Sequence, residues 1–149
     1  MIKLYLDTSV ISVLFGSRNP ERQNLTKSFF NGIKNFRIFI SVITLAEVER
    51  TPDSELREKM EDTMMGHTVL SLTDEIRTLA EKYIMHGAVP KTYEEDAYHI
   101  AVAVLNDMDY LLSRNFKHLV RQKTRYVVNM VNIASNLRKI EIITPAEIL

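Results

Sequence analysis

Four short stretches of this chain bring acids or amides to positions where they could meet a hard cation. Asp7 follows the apolar run Lys3 to Leu6, and Glu47 lies in the second turn of a helix-like segment that follows the run Arg37 to Ile40. Asp96 falls three, four and seven residues before His99, Ile100 and Ala103, so it shares their flank of a helix. A carboxylate on such a core-leaning flank costs several kcal/mol, on the order of the desolvation penalty of an ion, unless something positive pairs with it. Ser113-Arg114-Asn115-Phe116 directly follows the run Tyr110 to Leu112 and adds an amide oxygen at Asn115. With oxygen donors only, no Cys and no paired His, the set Asp7, Glu47, Asp96 and Asn115 selects Mg2+ or Mn2+ over zinc or copper. Such an ion can lower the pKa of a bound water and neutralise charge that develops on a phosphodiester, and no Ser-His or Cys-His pair offers a covalent route instead.

The elements that must position these residues alternate between strand and helix. Strand signals at Lys3 to Leu6, Arg37 to Ile40, Tyr110 to Leu112 and Ile140 to Ile143 are each followed by a polar residue able to cap a helix, with Thr8-Ser9 and Ser41 as the expected caps of the first two helices. Helical patterns span Glu21 to Asn35, Val42 to Arg50, Glu55 to Met65, Asp74 to His86, Tyr93 to Asn106 and Arg125 to Lys139. Thr144-Pro145-Ala146-Glu147 reads as a capping box with Pro at the first helical position. Alternating strands and helices predict an α/β fold, a three-layer α/β/α sandwich around a central, mainly parallel sheet. In such a sheet, sites form outside the carboxyl ends of the strands, where Asp7 and Asn115 fall.

Composition sets the outer limits. A chain of 149 residues with 46% hydrophobic residues, four Gly and four Pro is expected to fold as one globular domain over residues 1–149. The absence of Cys excludes disulfides and thiolate metal sites and fits a reducing compartment, so a cytoplasmic location is expected. Nineteen basic residues balance nineteen acidic ones, and a nucleic-acid partner would have to be held by a local patch. Arg114 to Arg125 is such a patch, with five Lys or Arg and no acid. It can equally be a solvated loop and helix start.

Taken singly, each acid could be a helix cap or a solvated charge, as Asp74 and Asp53 are expected to be. Together they carry a resemblance. Leu4-Tyr5-Leu6-Asp7-Thr8-Ser9, Ala46-Glu47-Val48, Asp96-Ala97-Tyr98-His99-Ile100-Ala101, Tyr110 to His118 and Ile143-Thr144-Pro145 are similar, in order, to the motifs of the PIN-domain family. The chain resembles in particular the VapC-type toxins of bacterial toxin-antitoxin pairs. That resemblance implies an endoribonuclease whose metal-binding, catalytic carboxylates are Asp7, Glu47 and Asp96, with RNA as substrate, a small antitoxin protein as inhibitor and a homodimer as the assembly. Asn115 departs from the Asp typical of the fourth motif, which bears on a second ion. Ser9, Ser113, Arg114, Lys117 and His118 are the candidate substrate-binding residues. Two other readings stand beside this one. A phosphotransfer or phosphatase domain also places an Asp after its first strand, but the dehalogenase type wants a second Asp where Ser9 stands, and receiver-type paired acids are missing. A PIN module that binds RNA or a protein partner without cutting would tolerate Asn115.

Overall fold

The structure is a computed structural model that describes residues 1–16 and 20–148. Five strands form one sheet: β1 (Ile2–Leu6), β2 (Phe36–Ser41), β3 (Thr68–Leu70), β4 (Tyr110–Leu112) and β5 (Glu141–Ile143). The order across the sheet is β3-β2-β1-β4-β5, and every neighbouring pair is parallel. β1 pairs β2 with Leu4 opposite Ile38, and it pairs β4 with Tyr5 opposite Leu111.

Strand alternation divides the core in two. Leu4, Leu6, Ile38, Ile40, Leu112 and Ile143 point to one face, where they meet Val10 and Ile11 of α1 (Thr8–Gly16), Phe29 of α2 (Pro20–Asn31), Met60 and Met64 of α4 (Ser54–Met64), and Ile148 of α8 (Pro145–Ile148). Tyr5, Phe39, Leu111 and Ile142 point to the other, against α5 (Asp74–Met85), α6 (Glu94–Leu105) and α7 (Gln122–Ala134). The short helix α3 (Val42–Glu49) gives Ile43 to one cluster and Val48 to the other. This is the expected α/β/α sandwich, and Leu56 of α4 packs against the first cluster beside Met60 and Met64. Among the described residues no helix is long and apolar enough to cross a membrane.

Several local expectations are revised. The first helix is capped by Asp7, whose Oδ1 accepts from the Val10 amide at 3.4 Å, so Thr8 and Ser9 already lie inside the helix. The helix expected over Glu21 to Asn35 ends at Asn31, and a 3-10 turn at Ile33–Asn35 follows Gly32. α7 begins earlier than expected and stops at Ala134, where Asn136 takes φ 59° and the Leu137 amide returns to the Asn132 carbonyl. Asp53 caps α4 by accepting from Glu55 and Leu56, and Thr73 rather than Asp74 caps α5. β3 is an additional edge strand. The box at the C-terminal end is half formed, with Glu147 accepting from the Thr144 amide at 2.8 Å.

Candidate functional site

The order β3-β2-β1-β4-β5 makes the boundary between β1 and β4 the point at which the crossovers change direction. The helices connecting β1 to β2 and β4 to β5 leave to opposite faces there, which opens a crevice at the carboxyl ends of the two strands. Asp7 is the residue after β1 and Ser113 the residue after β4, and the Asp7 amide donates to the Leu112 carbonyl at 3.2 Å.

Both oxygens of Asp7 are held. Ser9 donates to Oδ1 and Ser113 to Oδ2, each at 2.5 Å. The hydroxyls are themselves fixed from behind, since Ser9 Oγ accepts from the Arg114 amide at 2.8 Å and Ser113 Oγ from the Asn115 amide at 2.9 Å. Ser113 is wholly buried and both serines face Asp7, so they orient this carboxylate, and the substrate-binding role expected of Ser113 has no exposed surface to act through. Burial raises Asp7 above the usual carboxylate range. His99 and the two hydroxyls oppose that rise and Glu47 adds to it.

Glu47 and Asp96 reach the same rim from α3 and α6. Glu47 Oε1 accepts from His99 Nε2 at 2.6 Å, and the ring's Nδ1 lies 2.6 Å from the Tyr5 hydroxyl, which is 2.7 Å from Ser41 Oγ. Ser41 in turn accepts from the Ile43 amide as the cap of α3. Tyr5, Ser41 and His99 are buried, so this chain of contacts runs from the middle of the sheet to an acid at its edge. Burial alone would raise Glu47, but the His99 contact and charge, with Arg50 further out, hold it below the ordinary value. Burial would lower His99, yet Tyr5, Glu47 and Asp7 hold it well above its ordinary value. Asp96 is pushed up to about 6, first by burial, with His99 opposing and Asp7, Glu47 and Glu95 adding to the rise. The three acids therefore feel one another.

Asn115 joins them in an unexpected sense. Its Oδ1 accepts from the His118 amide at 3.0 Å and its Nδ2 faces Asp96 Oδ2 at 3.4 Å, so it offers Asp96 a donor, whereas an oxygen toward a cation was expected. Of the remaining candidates, Lys117 is exposed, while Arg114 and His118 are largely buried. Arg114 is lowered first by burial and then by Arg22, and His118 first by burial and then by Lys117 and Arg121.

In donor type the residues fit a divalent ion: three coupled carboxylates, two of them held above their ordinary values, are the charge a hard cation would relieve. Among the described residues, no three acid or imidazole side chains stand close enough to form a closed ligand set, and Glu47 has one oxygen committed to His99.

A parallel α/β domain with an acidic crevice at its switch point is thus the class that fold and site define. The family model of the PIN domain matches residues 4–122, and the chain belongs to the PIN domain family. No curated protein sequence matches the chain. Its fold is similar to that of VapC20 from Mycobacterium tuberculosis, a sarcin-ricin loop cleaving toxin, with a TM-score of 0.63 at 13% identity over 77% of this chain and 92% of that one. It is also similar to VapBC2 from Rickettsia felis bound to a DNA fragment from their promoter, with a TM-score of 0.60 at 15% identity over 78% and 90% of the two chains. VapBC-5 from Mycobacterium tuberculosis, a member of the VapBC family of toxin-antitoxin systems, is matched over 97% of this chain and 99% of that one, with a TM-score of 0.55 and 17% identity. At these identities the likeness is one of fold.

His99, whose place on the Asp96 flank marks a packing or supporting role, takes that role behind Glu47, and Tyr5 is the site feature that residue spacing passes over. A tyrosine in the middle of a buried strand was the available signal, because a buried hydroxyl needs a partner.

Proposed function

We propose that the chain is a Mg2+- or Mn2+-dependent endoribonuclease, the toxin of a toxin-antitoxin pair, with Asp7, Glu47 and Asp96 as its metal-binding carboxylates. The observation that carries this reading is the electrostatic coupling of these three acids at the switch point between β1 and β4. Relatives of the same fold solved as toxin-antitoxin complexes support a small antitoxin as partner. A homodimer and a cytoplasmic location remain parts of the proposal.

When bound, the ion would supply a water of lowered pKa and offset charge on the phosphodiester under attack. The chain's own residues do the positioning. Ser9 and Ser113 fix the Asp7 carboxylate in one orientation, which removes the rotamer freedom it would otherwise lose on binding. His99 holds Glu47 from behind through its Nε2 contact at 2.6 Å, and the charged ring donates there. Asn115 donates to Asp96 and offsets part of its charge without adding another.

Labelled RNA incubated with the pure protein tests the reading: cleavage in manganese, none in chelator, and none by Asp7→Asn or Asp96→Asn in manganese. Cleavage in chelator, or by either variant as by wild type, would remove the metal reading. A PIN module that binds RNA or a partner without cutting is favoured by Asn115, whose oxygen is taken by the His118 amide. RNA binding with no cleavage in manganese would select it.

A further inference from the structure

Two aromatic rings stand in solvent beside the carboxylates. Phe116, next in sequence to the Asn115 that contacts Asp96, is 45% exposed, and Tyr93, one helical turn before Asp96, is 44% exposed. Cations accompany both rings. The Arg22 guanidinium of α2 lies 4.8 Å from the Phe116 centroid and that of Arg114 5.8 Å, while Lys117 Nζ lies 5.9 Å from the Tyr93 centroid. The His118 ring packs on Tyr93 with centroids 4.0 Å apart and planes 31° apart, which fixes the tyrosine ring against the loop after β4. The acids that open α6 on this side are already answered by other cations, Glu94 by Lys91 at 3.8 Å and Glu95 by Arg50 at 2.9 Å.

A strip that alternates exposed rings with cations suits a single strand of nucleic acid. The cations meet phosphates, the rings meet unpaired bases, and neither needs a groove. Double-stranded RNA keeps its bases stacked inside, out of reach of exposed rings. We propose that Phe116 and Tyr93 are base-stacking positions for single-stranded RNA, one toward α2 and one at the start of α6, with Arg22 and Lys117 on the flanking phosphates. This rests on the nuclease reading of the adjacent carboxylates and adds to it how the strand is gripped. The bases on either side of the cut are then selected by stacking area, purines over pyrimidines, with no base edge read.

The test uses a short single-stranded oligoribonucleotide carrying 2-aminopurine, whose fluorescence falls when it stacks, titrated with the protein in chelator so that it stays intact. Phe116→Leu and Tyr93→Leu keep apolar bulk but lose the aromatic face, and circular dichroism and thermal unfolding of each variant check that the fold is kept. Expected are quenching by wild type, loss of quenching and about ten-fold weaker binding in each Leu variant, no weakening on a probe made abasic at the stacked position, and recovery in Phe116→Tyr and Tyr93→Phe. Equal binding by wild type and Leu variants would overturn the stacking sites, as would losses that are the same on intact and abasic probes. Cleavage in manganese separates the two layers. If wild type cuts the RNA and the Leu variants cut with unchanged KM, the stacking sites alone fall; if wild type neither binds nor cuts RNA, the nuclease reading falls with them.

Discussion

Asp96→Asn gives the sharpest measure of what an ionised carboxylate costs at this rim, first through burial and then through the neighbouring acids. In the folded chain Asp96 titrates near 6 against an ordinary value of 3.8, a rise of about two units. An acid whose folded value is raised stabilises the fold when protonated. Its contribution is therefore largest below its unfolded value and is lost as pH rises from about 4 through about 6. At about 1.4 kcal/mol per unit, the ionised carboxylate costs up to about 3 kcal/mol at pH 8. The amide that replaces it carries no charge, and its oxygen could still accept from Asn115 Nδ2. In chelator, Asp96→Asn should match wild type near pH 4 and exceed it by about 1–3 kcal/mol at pH 8, or roughly 3–9 °C in Tm for a chain of this size. The assay is thermal unfolding by circular dichroism of both proteins from pH 4 to 8 in chelator, repeated in manganese. Manganese should reverse the order, because an ion that binds the folded wild type more tightly raises its stability more. An Asp96→Asn protein that is no more stable than wild type at pH 8, or a difference that does not change with pH, would show that Asp96 is not held above its ordinary value by burial and neighbouring acids.

Three further outcomes are expected. Asn115→Asp removes the donor to Asp96 and adds a fourth charge, so unfolding in chelator should occur at lower temperature while calorimetric titration shows manganese bound about ten-fold more tightly. Ser113→Ala leaves Asp7 Oδ2 and the Asn115 amide without their partner, and manganese affinity should fall by about ten-fold, read in the same titration, as befits a lost hydrogen bond to a charged group. Tyr83→Phe strips the buried Asn132 oxygen of its donor, at 2.5 Å, and should cost about 1–3 kcal/mol in urea unfolding while leaving RNA cleavage as it was.

The layered fold and three acids at one rim were legible because local patterns carry both. A strand followed by a polar residue marks a carboxyl rim, and the helical period around Asp96 gave its flank. β3 was not legible, since three residues with Thr68 and Val69 exposed show neither alternation nor an apolar run. The orientation of side chains was lost for another reason. His99 lies 94 positions from Tyr5 and 52 from Glu47, and no spacing within one helix indicates that the ring bridges them. Ser9 and Ser113 read as substrate contacts because hydroxyls at a rim usually face solvent, and only the packing of α1 beside β4 turns them onto Asp7. Asn115 was expected to offer oxygen, but the turn after β4 needs an acceptor for the His118 amide and takes it first.

The contact between Ser113 and Asp7 spans 106 positions of sequence and joins the first strand to the fourth. A ribosome releases the chain from its N-terminus, so β1 and β2 can pair while residues beyond α3 are still being made, yet the second hydroxyl that holds Asp7 is not available until most of the chain has emerged. The acidic crevice is thus among the last features to form during synthesis. A ribosome that stalls before β4 leaves a fragment with an acid after its first strand and no assembled site.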